Sequence, residues 1–342
     1  MTILFHEEMF SPASKVLSIQ SHVVHGYVGN KAATFPLQTL GWDVDVLNSV
    51  NYSNHTGYGS VTGTMASGSE LQDIYEGLKK IDQRYEAILT GYIHGADTVK
   101  SVGKICNDIK KKSPEVMWLL DPVMGDEGLL YVSEEVIPVY REILSSGNVD
   151  IITPNQFEAE MLVEFAIVDK QSLKLALSTL HNKFKVKHVV ISSLSLSAKE
   201  LEVECHNDES LFAVVSSFIE GLDDCVKPPV VLEIKKLESY FTGVGDLFSA
   251  LLLDRVFKYS KEIADETSLH SRELLVKSTN EVMSVMSKVL EVTANLAVKS
   301  LGKPVTGKIG STETMKECEL RIVECRGLYS KHHQKYIPFE LS

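Results

Sequence analysis

No apolar run in this sequence reaches the roughly 18 residues that a membrane-spanning helix needs, so no membrane span is expected. Paired cysteines are missing too. The five present, Cys106, Cys205, Cys225, Cys318 and Cys325, are scattered and form no Cys-x-x-Cys motif. An odd, dispersed set fits a reducing compartment better than a disulfide framework, so a cytoplasmic location is expected, with a nuclear one as an open alternative. Basic residues are outnumbered: 34 Lys and Arg stand against 46 Asp and Glu, a formal charge of −12. That argues against a broad basic surface, so no nucleic-acid partner is expected; a local basic patch around an anionic ligand stays open. The N-terminus carries Glu7 and Glu8 and no basic start, a poor signal peptide. Without export, Asn51-Tyr52-Ser53 and Asn54-His55-Thr56 read as chance sequons. No internal repeat, low-complexity tract or clear linker divides the chain, so a single domain over 1–342 is expected.

What is present is a rhythm. Short β-branched apolar runs recur at 16–19, 44–47, 87–90, 117–120, 151–152 and 189–192. Each is brief and apolar throughout, as a strand covered on both faces should be. Helical patterns lie between them. Asp97 stands where an N-cap would, ahead of Val99, Val102, Ile105 and Ile109 at helical spacing. Phe157, Met161 and Leu162 form another such face, and 273–297 reads as a long helix. The alternation predicts an α/β fold: a mainly parallel twisted sheet with helices on both sides. Residues 194–236 break the rhythm. They are acidic in places, contain Pro228-Pro229, and read as an irregular insertion or hairpin region.

Open α/β sheets bind ligands beyond the carboxyl ends of their strands. There this chain places Gln20-Ser21-His22, Gly91-Tyr92, Asp121-Pro122-Val123-Met124-Gly125-Asp126, Thr153-Pro154-Asn155-Gln156-Phe157-Glu158 and Ser192-Ser193. Any one could be a turn or a helix cap. Glu158, three residues after Asn155, has capping-box spacing. Five such strand ends together point to a ligand rim, and hard oxygen ligands near a phosphate chain are what Mg²⁺ takes.

Thr242-Gly243-Val244-Gly245-Asp246 then precedes an apolar helix over 247–257. Two glycines let backbone approach a ligand closely, and the free amides of a first helical turn face an anion. A carboxylate at Asp246 could accept a proton from an attacking hydroxyl. A glycine turn followed by a simple helix cap has the same spacing, so the turn alone leaves both roles open. The stretch Gly302-Lys303-Pro304-Val305-Thr306-Gly307-Lys308-Ile309 nearly spells a P-loop, but Ile309 replaces the magnesium-binding hydroxyl and a helix, not a strand, precedes it. His22, His25, His332 and His333 lack zinc-site spacing.

These segments resemble the pyridoxal kinase family of the ribokinase-like superfamily. The resemblance rests on Val16-Leu17-Ser18-Ile19-Gln20-Ser21-His22, Gly26-Tyr27-Val28-Gly29-Asn30, Ser53-Asn54-His55-Thr56-Gly57-Tyr58, Leu89-Thr90-Gly91-Tyr92, the Asp121 to Asp126 turn and residues 243–248. It covers about 15–193, resumes near 237, and is thin over 194–236. It implies a three-layer α/β/α sandwich with a small flap, from 51–60, over the substrate. It implies ATP-dependent phosphorylation of the 5′-hydroxyl of pyridoxal, pyridoxine or pyridoxamine, with Mg²⁺, K⁺ or Na⁺, and a homodimer. By the same resemblance Ser21, Val28, Tyr52, Thr56 and Tyr92 would contact the vitamer and Asp246 would be the base. Gly243, Val244 and Gly245 would form the anion hole. Asp121, Asn155, Gln156, Phe157, Glu158, Ser192 and Ser193 would line the nucleotide region, and Leu237, Glu238 and Ser239 would border adenine. Asp126 and Glu158 would serve Mg²⁺, partly through water, and Asp121, Thr153 and Ser192 a monovalent cation.

Two departures stand out. The loop after Asp126 is short, and Val244 stands where Thr or Ala is common. The rival readings are a hydroxymethylpyrimidine or sugar kinase of the same superfamily, and a non-catalytic vitamer-binding protein.

Overall fold

Successive residues of the central strands go to opposite faces of one sheet. Val16, Ala87, Leu89, Leu119, Ile151 and Val190 pack into one buried cluster, while Leu17, Ile19, Ile88, Leu120, Ile152 and Val189 pack into another. Both faces are therefore dry, which is why these runs are apolar throughout rather than alternating. The computed structural model describes residues 12–126, 128–204, 210–218, 227–237, 239–262 and 268–342.

In chain order the elements begin β1 (Lys15–Val23), α1 (Asn30–Thr39), β2 (Asp43–Tyr52), β3 (Gly63–Met65), α2 (Gly68–Lys80), β4 (Ala87–Thr90) and α3 (Ala96–Lys112). Next come β5 (Met117–Leu120), β6 (Gly125–Asp126), β7 (Leu129–Leu130), α4 (Val136–Ser145), β8 (Ile151–Ile152), α5 (Gln156–Val163) and α6 (Lys170–Asn182). The chain continues with β9 (His188–Leu194), α7 (Ala198–Leu201), β10 (Leu211–Ser217), β11 (Val230–Ile234), α8 (Val244–Glu262), α9 (Ser268–Leu301), α10 (Thr312–Glu317) and β12 (Pro338–Glu340).

One ten-stranded sheet runs β12-β11-β10-β9-β8-β5-β4-β1-β2-β3. The six strands from β9 to β2 pair in parallel. The flanking pairs, β9–β10, β10–β11, β11–β12 and β2–β3, are antiparallel. Residues of α2 to α6 cover one face, and those of α1, α8 and α9 the other. The result is the expected three-layer sandwich.

Several elements differ from the sequence expectation. The region 194–236 is not wholly irregular: among its described residues, β10 and β11 join the main sheet. Their apolar cores, Phe212-Ala213-Val214-Val215 and Val230-Val231-Leu232, are buried, but acidic flanks and Pro228-Pro229 disguise them in the sequence. The helix α3 is entered through Gly95, at φ 77°, and Asp97 lies inside its first turn rather than at the cap. The helix α8 starts at Val244, three residues before the apolar run, which puts Gly245 and Asp246 in its first turn.

Candidate active site

The strand-end rim and the glycine turn meet where β1, β5 and β8 end and α8 begins. Gly243 adopts φ 77°, a left-handed conformation suited to glycine. A Cβ at this position would lie 1.9 Å from the Tyr27 carbonyl oxygen. The turn is therefore pressed directly onto the 26–29 loop. Leu247 N–H donates to the Gly243 carbonyl at 3.0 Å, closing the first helical turn. The helix offers no carbonyls to the amides of Val244, Gly245 and Asp246, which leaves them suited to an anion.

Asp246 is not the helix cap. It follows two residues already in α8. Burial pushes its pKa up, with the nearby Gly29 backbone amide opposing. Gly29 itself, at φ 53°, is forced by contact: a Cβ there would lie 2.2 Å from the Ser21 carbonyl. The 26–29 loop thus brings the Gly29 amide close to Asp246.

Behind Asp246 lies a cluster of buried acids. Burial raises the Asp121 pKa most, and the Glu158 and Asp246 carboxylates add to it. Ser249 Oγ donates to Asp121 at 3.0 Å. Having given its one proton to Asp121, Ser249 must accept from the Thr153 hydroxyl, 2.9 Å away. That orientation turns the lone pairs of Thr153 towards other donors or a cation. Glu158 does complete the capping box with Asn155, and its second oxygen accepts the Met124 N–H at 3.0 Å. The same carboxylate thus caps α5 and pins the Asp121 to Asp126 turn, and burial pushes its pKa up. Asn155 adds a bond from its side-chain amide to the Gly125 carbonyl at 2.8 Å. Asp126 is exposed at the rim.

Among the described residues no three His, Cys, Asp or Glu side chains are arranged to enclose a metal ion. The acids fit a different role. Their mutual repulsion would be relieved by cations shared with phosphate oxygens and water, which is how Mg²⁺ binds in such sites.

On the substrate side, Ser21 is buried at the end of β1 and Val28 is half-buried beside the glycine turn. Burial raises the Tyr92 phenol pKa, and the nearby Tyr52 adds to it. Thr56 is exposed on a short helical turn, Thr56–Tyr58. On the nucleotide side, Ser192 and Ser193 are half-buried in β9. Phe157 packs against Gly125. Gln156 spends its amide within the protein, donating to Glu160 and the Ile167 carbonyl and accepting from the Ser195 N–H. Leu237 and Ser239 are half-buried, and Ser239 Oγ accepts the Gly307 N–H at 2.9 Å. Glu238 lies outside the described residues.

Sequence reasoning missed Ser249 and Glu319. Ser249 sits one helical turn after Asp246 on α8, a spacing that could have flagged it. Glu319 is buried near the C-terminus, with no local motif to mark it.

The comparisons with known proteins agree with one another. A family model described as phosphomethylpyrimidine kinase matches residues 46–220. The Saccharomyces cerevisiae protein BUD16 is 45% identical over 331 residues, covering 94% of this chain and 98% of its own. The pyridoxal kinase of Ovis aries is 37% identical, covering 91% of this chain and 94% of its own. A solved pyridoxal kinase from Leishmania donovani, in complex with ADP and pyridoxamine, superposes with a TM-score of 0.76 at 31% identity. That match spans 95% of this chain and 98% of the other.

Proposed function

The chain belongs to the pyridoxal kinase family, and from that premise we propose that Asp246 is the base in its ATP-dependent phosphorylation of B6 vitamers. The acceptor is the 5′-hydroxyl of pyridoxal, pyridoxine or pyridoxamine, and the products are the 5′-phosphate and ADP. The observation that supports the assignment is the position of Asp246: a half-buried carboxylate in the first turn of α8, directly after the glycine turn, which is itself pressed onto the 26–29 loop.

The vitamer lies between Tyr52 and Tyr92, with Ser21, Val28 and Thr56 at its edge. Asp246 takes the hydroxyl proton as the oxygen attacks the γ-phosphorus. Burial, which raises its pKa, makes it a better acceptor than an exposed aspartate. Charge on the transferring group falls on the amides of Gly243, Val244 and Gly245. Val244 contributes its backbone only, having no hydroxyl. The adenine is bordered by Leu237 and Ser239, and the phosphates face Asn155, Phe157, Ser192 and Ser193. Asp126 and Glu158 would hold Mg²⁺, partly through water, and the ion would supply charge neutralisation at the phosphate oxygens. Asp121, Thr153 and Ser192 are the proposed monovalent-cation ligands.

The family model named for phosphomethylpyrimidine kinase covers 46–220 and keeps that substrate as a rival. The relatives named as pyridoxal kinases match nearly the whole chain and favour the vitamer. A homodimer is proposed through the β2–β3 edge, where Val46, Val61 and Met65 are exposed. Light scattering reads that assembly. Among the described residues no helix is long and apolar enough to cross a membrane.

The deciding experiment sets ATP with each B6 vitamer, hydroxymethylpyrimidine and ribose side by side, with products identified by mass. The vitamers should be preferred, and Asp246→Asn should cut kcat by about 10²–10⁴. Equal turnover by the mutant would remove Asp246 from its role.

A further inference from the structure

One buried carboxylate outside the nucleotide and vitamer rim holds three loops at once. Glu319 follows α10 near the C-terminus and is 5% exposed. Its Oε2 accepts the Tyr27 N–H at 2.9 Å. Its Oε1 accepts the Tyr58 hydroxyl at 2.8 Å and faces His55 Nε2 at 2.9 Å. The same His55 nitrogen is 3.1 Å from Thr242 Oγ1, the residue before Gly243. A proton on Nε2 therefore bridges the carboxylate and the threonine oxygen, while Nδ1 is buried without a hydrogen-bond partner. Gly26 is compelled by this contact: at φ 88°, a Cβ there would lie 2.3 Å from Glu319 Oε1.

Each loop so tied is part of the site. Tyr27 presses its carbonyl onto Gly243, and two residues later the Gly29 amide lies near Asp246. His55 and Tyr58 flank Thr56 in the flap, and Gly310 N–H adds a bond to the Gly57 carbonyl at 2.8 Å. Burial opposes charge on Glu319, but the bonds from His55, Tyr58 and Tyr27 outweigh it, and the carboxyl stays below its ordinary range.

We propose that Glu319 is a positioning residue that locks the flap, the 26–29 loop and the glycine turn into one relative arrangement, so that vitamer seating and phosphoryl stabilisation depend on the same carboxylate. This rests on the pyridoxal kinase reading of the site. A glutamine cannot replace it. The carboxylate accepts from three donors on two oxygens, and an amide offers one accepting oxygen, so either Tyr27 or the His55–Tyr58 pair faces an amide N–H₂.

The test uses the full chain carrying Glu319→Gln, Tyr58→Phe, or both, with kcat and KM for pyridoxal, ADP affinity by calorimetry, and Tm. Glu319→Gln should lower kcat/KM for pyridoxal roughly ten- to a hundredfold, through both a higher KM and a lower kcat. ADP affinity should stay within about twofold, because no nucleotide contact is touched. Tyr58→Phe should cost about three- to tenfold alone and almost nothing further in the double variant. A lower Tm with wild-type kcat and KM would reduce Glu319 to a structural residue, and losses that simply multiply would break the proposed linkage. If Glu319→Gln does not fold, Tyr58→Phe decides alone: wild-type constants for it overturn the inference. A wild type inert towards every vitamer sinks the functional reading and this inference with it, whereas an active wild type with unaffected variants sinks only the inference.

Discussion

Gly243→Ala is the sharpest single perturbation of the glycine turn. Two costs fall on it. A side chain at φ 77° costs about 1–2 kcal/mol in local backbone energy. Its Cβ would also sit 1.9 Å from the Tyr27 carbonyl oxygen, and backbone carbonyls do not swing aside as side-chain tips do. Restoring ordinary contact requires the turn and the 26–29 loop to separate by about 1.5 Å, and misplacement of about 1 Å at a reacting centre can cost a hundredfold. The expected outcome is a kcat at least about a hundredfold lower, with roughly 2–4 kcal/mol lost from stability. Steady-state turnover of pyridoxal with ATP measures the first and urea unfolding the second. Gly245→Ala is the control. Its added Cβ meets nothing closer than Asp121 Oδ2 at 3.4 Å, so its loss should stay under about tenfold. Gly243→Ala turning over within about threefold of wild type, or Gly245→Ala proving the more damaging, would refute the steric argument.

Other outcomes follow from the acid cluster and its neighbours. Ser249→Ala removes the hydroxyl between Asp121 and Thr153 and should cost about 1–3 kcal/mol in urea unfolding; no loss would mean that the relay is not formed. Glu158 has its pKa pushed from 4.5 up to about 8 by burial, so the fold keeps a proton that the unfolded chain has released. It therefore makes ligand-free stability fall as pH rises from 4.5 to about 8. His188, pushed down to about 4 by burial, adds an opposing slope, stability rising with pH up to 6.5, so the quantity to measure is wild type minus Glu158→Gln. Parallel stability–pH curves for the two would exclude the shift. Val244→Thr should change kcat by less than about threefold, because the proposed anion hole uses backbone amides there; a large gain would show that a hydroxyl is wanted.

The parallel core was readable because its chemistry is local. Residues 87–90, 117–120 and 151–152 are strands at the expected positions, since double-sided burial leaves an uninterrupted apolar run. The gathering of Asp246 with the strand-end acids was readable for a related reason: a parallel sheet delivers one loop per strand to one rim. The antiparallel strands β10 and β11 were not, because their apolar stretches are short and their flanks acidic. Glu319 could not be found from spacing at all. It lies 292 residues from Tyr27 and 264 from His55, and only the docking of the C-terminal segment beneath the flap brings them together. That Asp246 lies inside the first turn of α8 rather than at its cap was likewise visible only in the structure, where the helix begins at Val244.

Four consecutive residues, Gly26 to Gly29, have a bearing on how such an enzyme can change. One peptide segment abuts Glu319, presses on the glycine turn and brings the Gly29 amide near Asp246, and in the proposed reading its Val28 also walls the vitamer. Selectivity and turnover are therefore not separately adjustable at this place. Reshaping the segment to admit a bulkier alcohol would displace the proposed proton acceptor in the same stroke. A new specificity is more readily reached from Tyr52, Thr56 or Tyr92, the proposed vitamer contacts outside this segment.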